Sequence, residues 1–408
     1  MGCFVMMDKK IYIDIFAGCG GLSTGLLSAG WTGLFAIEKN ADAFSTLKHN
    51  LIDNQEHFLW PSWLPIQECD INELLKKHAD DLRALQGKVT LVAGGPPCQG
   101  FSMAGKRDEN DQRNKLVKSY IKFIKLVLPE AIIFENVHGF TVNFKGKKGT
   151  KQYSSYVERA LKRLGYKTMH QIVDMSEYGV PQNRKRFILI AMKERSPKKV
   201  FEVLNKSKES FCKSKGITCK TTVYEAISDL ERVHGTRPSP DTKGFQAGLY
   251  GPIQSGYQRL MRQSIESETG VVDSHRFVNH RKDTIALHND LLAHAPLGKR
   301  ITPEDNIVPN LNRRGVTVLN RNAQAPTITS IPDEIVHYIE PRILTVREHA
   351  RIQSFPDWFE FKGKYTSGGN RRKQEVPRYT QVGNAVPPLF AEQIGIAIWE
   401  VLSNDKSE

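Results

Sequence analysis

Short apolar runs alternate with amphipathic stretches over the first half of the chain. The apolar runs are rich in β-branched and aromatic residues, which predicts β-strands at 11–16, 34–38, 89–93, 131–135, 170–174 and 187–192. Between them, apolar residues recur at helical spacing, which predicts helices at 22–28, 41–50, 115–128 and 153–164. Strands that alternate with helices are typical of βαβ units. The pattern therefore predicts an α/β fold built on a mainly parallel sheet.

The alternation weakens after residue 192. Residues 193–220 are crowded with Lys, Ser and Glu, and residues 235–256 are rich in Gly, Pro and Ser, which is typical of loops. Helical patterns return at 345–354 and in the apolar stretch 389–402. We therefore predict a first domain over 8–194, a smaller irregular domain over 195–335 and an ordered C-terminal segment over 336–408.

Composition narrows the class of protein. The chain is 39% apolar and 25% charged, as globular proteins are, and its apolar runs are too short to cross a bilayer. The first seven residues lack a basic start and a cleavage site, so we expect a cytoplasmic protein rather than a secreted one. Six cysteines without zinc-like spacing predict a reducing compartment, no disulfide framework and no metal site. The net charge of +14 favours a polyanionic partner.

A glycine-rich turn follows the first predicted strand. Gly18 and Gly20 let the backbone pass close to a ligand at a helix N-terminus. Glu38, at the end of the next strand, is placed to accept hydrogen bonds from ribose hydroxyls. Asp70 would receive an adenine amino group and Phe16 would stack on the ring, although for Glu38 or Asp70 taken alone a solvated loop carboxylate is the preferred interpretation. The glycine spacing departs from G-x-G-x-x-G, which favours a nucleoside cofactor other than a nicotinamide dinucleotide.

A second loop displays a cysteine. Residues 94–97 are two glycines and two prolines that leave a predicted strand, so Cys98 lies on a stiff loop at the carboxyl edge of the sheet. Arg184 or Arg186 would supply the positive charge that a thiolate needs. Glu135 ends the fourth predicted strand at the same edge, where an acid can protonate a ring nitrogen while a thiolate adds to the adjacent carbon. The alternative is that Glu135 merely caps the following turn.

Blocks of sequence spread over nearly the whole chain resemble, in order, the signature motifs of the C5-cytosine DNA methyltransferases. Any one block alone is weak evidence, but six in family order are not. The blocks lie at 14–21, 96–102, 135–137, 182–186, 342–356 and 381–388.

The resemblance implies a fold, a cofactor and a set of roles. The fold would be the Rossmann-like sheet of methyltransferases that use S-adenosylmethionine, with residues 195–335 as target recognition domain and 336–408 returning to complete the catalytic domain. Cys98 would attack C6 of cytosine, Glu135 would protonate N3, Arg186 would hold the ring and Arg184 would sit near the nucleophile. The residues implied at the cofactor are Phe16, Gly18, Gly20, Glu38, Asp70, Ile71, Pro96 and Asn384.

Double-stranded DNA is the implied partner, because a cytosine must leave the base stack before its C6 can be attacked. The polar stretch 103–114 is predicted to close over the DNA, with Lys106, Arg107 and Arg113 on phosphates. Further predicted DNA contacts are Gln99, Ser102, Arg313, Arg314, the run 320–322, and the stretch from His275 and Arg276 to Arg281 and Lys282. Those in the second predicted domain are equally explained as ordinary surface charge.

Two alternatives remain beside this interpretation. One branch of the family modifies transfer RNA and typically carries a Cys-Phe-Thr motif, but Cys212 and Cys219 are each followed by Lys. A catalytically inactive DNA-binding scaffold is disfavoured, because Cys98 and Glu135 are both present. The compact chain resembles bacterial restriction-modification methylases, which implies a monomer that shares its target site, without a stable complex, with a restriction endonuclease.

Overall fold

The chain forms two compact units. The computed structural model describes residues 10–97, 114–141, 153–265, 270, 272–309, 311, 315–366 and 375–404. The first unit takes the chain up to 174, residues 185–207 and the chain from 390, and the second takes 175–184 and 208–389. These divisions differ from the predicted boundaries at 194 and 335, and the segment that rejoins the first unit starts at 390 rather than 336. As domain limits, the predicted boundaries stay a prediction.

A six-stranded sheet forms the centre of the first unit, in the order β2-β1-β3-β4-β6-β5. β1 to β4 pair in parallel, whereas β6 runs antiparallel to both of its neighbours, so the predicted mainly parallel sheet is confirmed. Every predicted strand is present, and the largest shift is in β5, which begins at residue 167 rather than 170. The strands are β1 Ile11–Ile15, β2 Thr32–Ile37, β3 Leu91–Gly94, β4 Ala131–Val137, β5 Lys167–Asp174 and β6 Lys185–Met192.

Helices cover this sheet and bury an apolar core. Phe123 of the fifth helix, Val92 of β3 and Phe134 of β4 belong to one cluster of buried side chains. The predicted helix at 41–50 is instead a short α-helix followed by a π-helix at Lys48–Asn54. The α-helices up to residue 174 are α1 Gly21–Ser28, α2 Ala41–Leu47, α3 Ile71–Lys77, α4 Ala79–Arg83, α5 Asn114–Val127 and α6 Tyr153–Arg163.

The remaining strands are two or three residues long, as the irregular sequence predicts. The stretch 193–220, predicted to be loop-like, instead contains an 18-residue helix at Pro197–Ser214, so that prediction is wrong. Two small sheets, β7-β8 and β11-β10-β9, lie in the second unit, and α7 and α13 each contribute residues to both units. The strands are β7 Thr236–Pro238, β8 Gln246–Gly248, β9 Arg300–Ile301, β10 Val316–Val318 and β11 Ile335–Val336. The helices are α7 Pro197–Ser214, α8 Val223–Ile227, α9 Gly256–Met261, α10 Lys282–His294, α11 Val346–Ile352, α12 Arg378–Asn384 and α13 Pro388–Ser403.

Buried ion pairs organise the second unit around α11. Arg351 bonds to the carboxylates of Asp357, at 2.5 Å, and Asp229, at 3.1 Å, and all three side chains are fully buried. Arg342 binds Glu348 through two hydrogen bonds of 2.7 Å. Removing one member of such a pair leaves an uncompensated buried charge. The charged residues Arg342, Glu348 and Arg351 of the block at 342–356 therefore stabilise the second unit from within.

The segment Arg378–Ser403 is apolar and long enough to cross a membrane by length and composition alone. Of its 18-residue apolar stretch, 67% is buried inside the protein. A core helix meets the same criteria, so the segment carries no membrane assignment.

Candidate active site

The reversal of β6 brings three strand ends to one edge of the sheet. β3 and β4 both finish there, and Arg186, near the start of β6, pairs with Val137 near the end of β4. In an open α/β sheet the carboxyl ends of parallel strands are the usual place for ligands. The basic residue Arg186 therefore lies at the same edge of the sheet as Gly94 and Glu135, which come from the ends of β3 and β4.

Glu135 and Arg186 form an ion pair at this edge. Nε of Arg186 lies 3.1 Å from Oε1 of Glu135, and the two side chains are 14% and 15% exposed, respectively. Burial lowers the pKa of the Arg186 guanidinium, and the neighbouring Glu135 opposes that shift. The contact fixes the position of the carboxyl group and places a positive charge beside it.

Two consecutive glycines permit this close packing. A Cβ atom on Gly95 would lie 2.7 Å from Oε2 of Glu135, and one on Gly94 would lie 2.1 Å from the carbonyl oxygen of Ile15. Both distances are too short for a real contact. The pattern of two glycines before two prolines predicted a stiff loop, but it did not show that Gly95 makes room for the carboxylate.

Asn136 fixes the start of the loop that leads to the predicted nucleophile. Its side chain is buried and donates from Nδ2 to the carbonyl oxygen of Pro96 at 3.1 Å, while Oδ1 accepts from the backbone N–H of Val137. Pro96 is itself buried. The predicted residues Cys98, Gln99, Ser102, Lys106, Arg107 and Arg113 lie outside the described residues, and their roles stay predictions.

The glycine turn after β1 has a strained backbone. Phe16 has φ +63°, a left-handed conformation that is rare for a bulky residue, and Gly18 and Gly20 also have positive φ. A Cβ atom on Gly20 would meet Leu51 at 2.9 Å, whereas one on Gly18 would meet nothing within 4 Å. Gly20 therefore serves packing, while the backbone at Gly18 faces open space.

Glu38 closes this turn from the end of β2. Its Oε2 accepts from the backbone N–H of Gly18 at 2.9 Å, and its Oε1 accepts from that of Asn40 at 2.7 Å. Burial raises the pKa of the Glu38 carboxyl, and these hydrogen bonds oppose the shift. Each carboxylate oxygen keeps a further lone pair, so the group can still accept a ligand hydroxyl.

A buried acid that the sequence interpretation left without a role lies beneath the turn. Oγ of Ser23, in the first turn of α1, donates to Oδ2 of Asp14 at 2.6 Å. Burial raises the pKa of Asp14 to about 7, the Ser23 hydrogen bond lowers it, and Glu38 raises it further. The bond ties α1 to β1 and so holds both ends of the glycine turn.

Asp70 and Ile71 begin α3. Asp70 caps the helix by accepting from the backbone N–H of Asn72 at 2.8 Å, and it pairs with Lys39 at 2.7 Å. Ile71 is 3% exposed and packs in the core of the first unit. Both residues have clear structural tasks, and their predicted contacts with a cofactor stay predictions.

Arg184 braces a distant segment within the second unit. Its buried guanidinium donates to the carbonyl oxygens of Gly383 and Ala385, both at 3.1 Å, and of Ile328 at 3.2 Å. Asn384, between the first two acceptors, is exposed at the end of α12. The structure thus gives Arg184 the task of positioning the Asn384 segment, and its predicted role beside the nucleophile stays a prediction.

The predicted DNA contacts of the second unit lie in different environments. His275 is fully buried between Thr345 Oγ1 and the carbonyl oxygen of Leu230, so its prediction as a surface contact is wrong. Arg276 and Arg321 stack on aromatic rings. Arg313 and Arg314 lie outside the described residues.

Comparison with known proteins gives a consistent result. The family model described as C-5 cytosine-specific DNA methylase matches residues 11–400. The Type II methyltransferase M.DdeI of Desulfomicrobium norvegicum is 31% identical, over 94% of this chain and 86% of the relative. The Type II methyltransferase M.XorII of Xanthomonas oryzae pv. oryzae is 30% identical, over 97% of this chain and 86% of the relative.

Solved structures share the fold. A prophage-encoded DNA modification methyltransferase from E. coli matches with a TM-score of 0.65 and 23% identity, over 97% of this chain and 99% of that one. Entamoeba histolytica methyltransferase EhMeth matches with a TM-score of 0.55 and 15% identity, over 98% of this chain and 100% of that one. At these identities the likeness establishes the fold alone.

Proposed function

This chain belongs to the C-5 cytosine-specific DNA methylase family and is a DNA (cytosine-5) methyltransferase, and from that premise we propose how its residues carry out the reaction. Cys98 is the nucleophile and S-adenosylmethionine is the methyl donor. The substrate is a cytosine turned out of duplex DNA, since its C6 is inaccessible within the base stack.

The observation that carries the proposal is the Glu135–Arg186 pair at the strand edge, with Pro96 held nearby by Asn136. The Cys98 thiolate forms a bond to C6, the C5–C6 double bond opens, and Glu135 places a proton on N3. C5, now electron-rich, would form a bond to the methyl carbon of the donor as the bond from that carbon to sulfur breaks, which leaves S-adenosylhomocysteine. Loss of the C5 proton to a base then expels Cys98 and restores the ring as 5-methylcytosine, while N3 returns its proton to Glu135.

The first unit carries residues that suit the methyl donor. S-adenosylmethionine, when bound, supplies an electrophilic methyl group on a sulfonium. The open space beside Gly18 accommodates a ligand against the turn backbone, and Glu38 has lone pairs for ribose hydroxyls. We propose that the methyl donor is also contacted by Phe16, Gly20, Asp70, Ile71 and Pro96. Asn384 is assigned to the same site by family resemblance.

The biological role follows from the relatives. Those with 30% identity or more are named Type II methyltransferases. We assign this enzyme to host-DNA protection: it marks a recognition sequence that a partner endonuclease cuts when unmodified, and it acts as a cytoplasmic monomer without a stable complex with that nuclease.

Transfer of tritium from labelled S-adenosylmethionine tests the function. Purified protein is given duplex DNA and, in parallel, bulk transfer RNA, and the labelled nucleoside is identified by chromatography. We expect label in 5-methylcytosine from DNA only. Label confined to transfer RNA would replace the substrate assignment with the RNA alternative.

The nucleophile has a separate test. DNA carrying 5-fluorocytosine cannot release the C5 substituent, so the enzyme should remain covalently attached to it. Cys98→Ser should neither attach nor methylate, whereas the same change at the buried Cys212 should leave both properties intact. A Cys98→Ser protein as active as the parent would overturn the assignment.

A further inference from the structure

Arg276 is held between two aromatic rings in the second unit. Its guanidinium carbon lies 3.7 Å from the ring centroid of Tyr365 and 4.1 Å from that of Phe245. Tyr365 is buried, and Phe245 and Arg276 are half-buried. Contact with two rings restricts the orientation of the guanidinium, whose N–H groups point along its edge and remain its means of hydrogen bonding.

The backbone around Arg276 is fixed as well. The residues flanking it pair with β8: the N–H of Gly248 donates to the carbonyl oxygen of His275, and that of Phe277 donates to the carbonyl oxygen of Gln246. Arg276 therefore extends the β7-β8 hairpin as an added edge. A β-ribbon of this kind is narrow enough to enter the major groove of DNA.

Arg276 has no carboxylate partner among the described residues, and its buried Nε has no hydrogen-bond partner there. The nearby acid, Asp241, is instead bonded to Arg378 at 2.7 Å and accepts from the hydroxyl of Tyr365. Five other buried arginines of the second unit hold a carboxylate, namely Arg262, Arg342, Arg347, Arg351 and Arg378. The buried Arg184 instead donates to backbone carbonyl oxygens, so every one of these six guanidinium groups has an acceptor within the protein.

We propose that Arg276 reads a guanine of the recognition sequence through two parallel N–H bonds to O6 and N7 in the major groove. A fixed guanidinium plane suits the flat acceptor edge of guanine, and Arg to guanine is the commonest specific base contact. A phosphate can also accept two parallel N–H bonds from arginine, so the experiment must separate a phosphate contact from a guanine contact. The inference rests on the proposed function, because it names part of that enzyme's substrate.

The test begins with the parent enzyme on a duplex library of randomised sequence, read by bisulfite sequencing. Methylated cytosines in a defined context that includes guanine establish the activity. Their absence would count against the proposed function before any variant is made. Arg276→Gln and Arg276→Met are then compared with Arg237→Gln, which removes an exposed arginine from the same hairpin.

Both Arg276 variants should lose discrimination at one guanine position by about ten- to a hundredfold, with other positions unchanged. Arg237→Gln should keep the parent context. A uniform loss of methylation over all contexts, or a weaker salt dependence of binding without a change of context, would assign Arg276 to a phosphate and overturn the proposal.

A second measurement changes the DNA rather than the protein, and its first part needs only the parent enzyme. The guanines of the parent's site are replaced singly by 7-deazaguanine, which lacks the N7 acceptor, and methylation by the parent enzyme is followed. One position should lose about tenfold or more in rate, and Arg276→Gln should be insensitive at that position alone. No sensitive guanine with the parent, or equal sensitivity in Arg276→Gln, would overturn the proposal.

Discussion

The side chains of Glu135 and Arg186 are in contact, with 3.1 Å between Oε1 and Nε, and the two residues lie on neighbouring strands that run in opposite directions. The antiparallel course of β6 is what makes the contact possible, since a parallel strand would carry Arg186 to the far edge of the sheet. The pair joins the proposed proton donor, Glu135, to the cation that holds its carboxyl group in place.

Glu135→Gln should lower the rate of methyl transfer about a hundredfold to ten-thousandfold, because the amide cannot give N3 a proton. Single-turnover assays with excess enzyme isolate this step from product release. Glu73→Gln, which removes an exposed carboxylate on α3, is the control and should stay near the parent rate. A rate within threefold of the parent for Glu135→Gln would exclude Glu135 as the acid.

Gly95→Ala should act through the same carboxylate. The added Cβ would lie 2.7 Å from Oε2 of Glu135, so the acid must move. A displacement of about 1 Å in a reacting group can cost roughly a hundredfold in rate. We expect that loss in kcat, with the Kd for DNA little changed.

Gly87→Ala separates this clash from ordinary glycine effects. Gly87 has φ +74°, and a Cβ there would meet nothing within 4 Å, so the variant carries backbone strain without a clash. It should lose thermal stability and keep its kcat. Equal losses of kcat in the two variants would show that displacement of Glu135 is not the cause.

The sequence predicts the strands of the first unit well because their apolar runs are local, and β1 is correct to one residue. It does not predict that β6 is reversed, since strand direction depends on pairing between distant segments. Arg184 and Arg186 show the same limit. Two positions apart in sequence, one braces backbone carbonyls of the second unit and the other holds Glu135.

The second unit lies further beyond sequence interpretation. Its strands are two or three residues long, too short for a periodic pattern. Its stability depends instead on buried pairs such as Arg351 with Asp229, which join residues far apart in the chain. Spacing alone does not distinguish an arginine of this kind from one that contacts DNA.

Asp14 should make stability depend on pH. Its pKa is about 7 in the folded protein against 3.8 for the ordinary carboxyl, so the folded state binds a proton that the unfolded chain has released. Between those values stability falls as pH rises, and above about 7 the loss is complete. Asp14→Asn, which stays neutral, should therefore gain in Tm relative to the parent as pH rises from 5 to 8.

Calorimetry of both proteins at intervals of pH measures this difference. Ser23→Ala is the companion variant, because removing a donor to the charged carboxylate should raise the pKa of Asp14 further and extend the decline to higher pH. A Tm difference between parent and Asp14→Asn that is constant over the range would show that Asp14 is charged throughout.

Arg184 offers the sharpest contrast between a bracing and a catalytic role. Its guanidinium holds the carbonyls on either side of Asn384, which family resemblance assigns to the methyl donor. Arg184→Met should therefore raise the KM for S-adenosylmethionine about tenfold.

The proposed addition of Cys98 to C6 can be measured without the methyl donor, because it makes the C5 hydrogen exchangeable with water. In Arg184→Met, release of tritium from cytosine labelled at C5 should stay within about threefold of the parent. A hundredfold slower release with an unchanged KM would place Arg184 beside the nucleophile instead. Arg195→Met, a part-buried arginine of the first unit bonded to the carbonyl oxygen of Leu402, controls for loss of an internal brace and should change neither quantity.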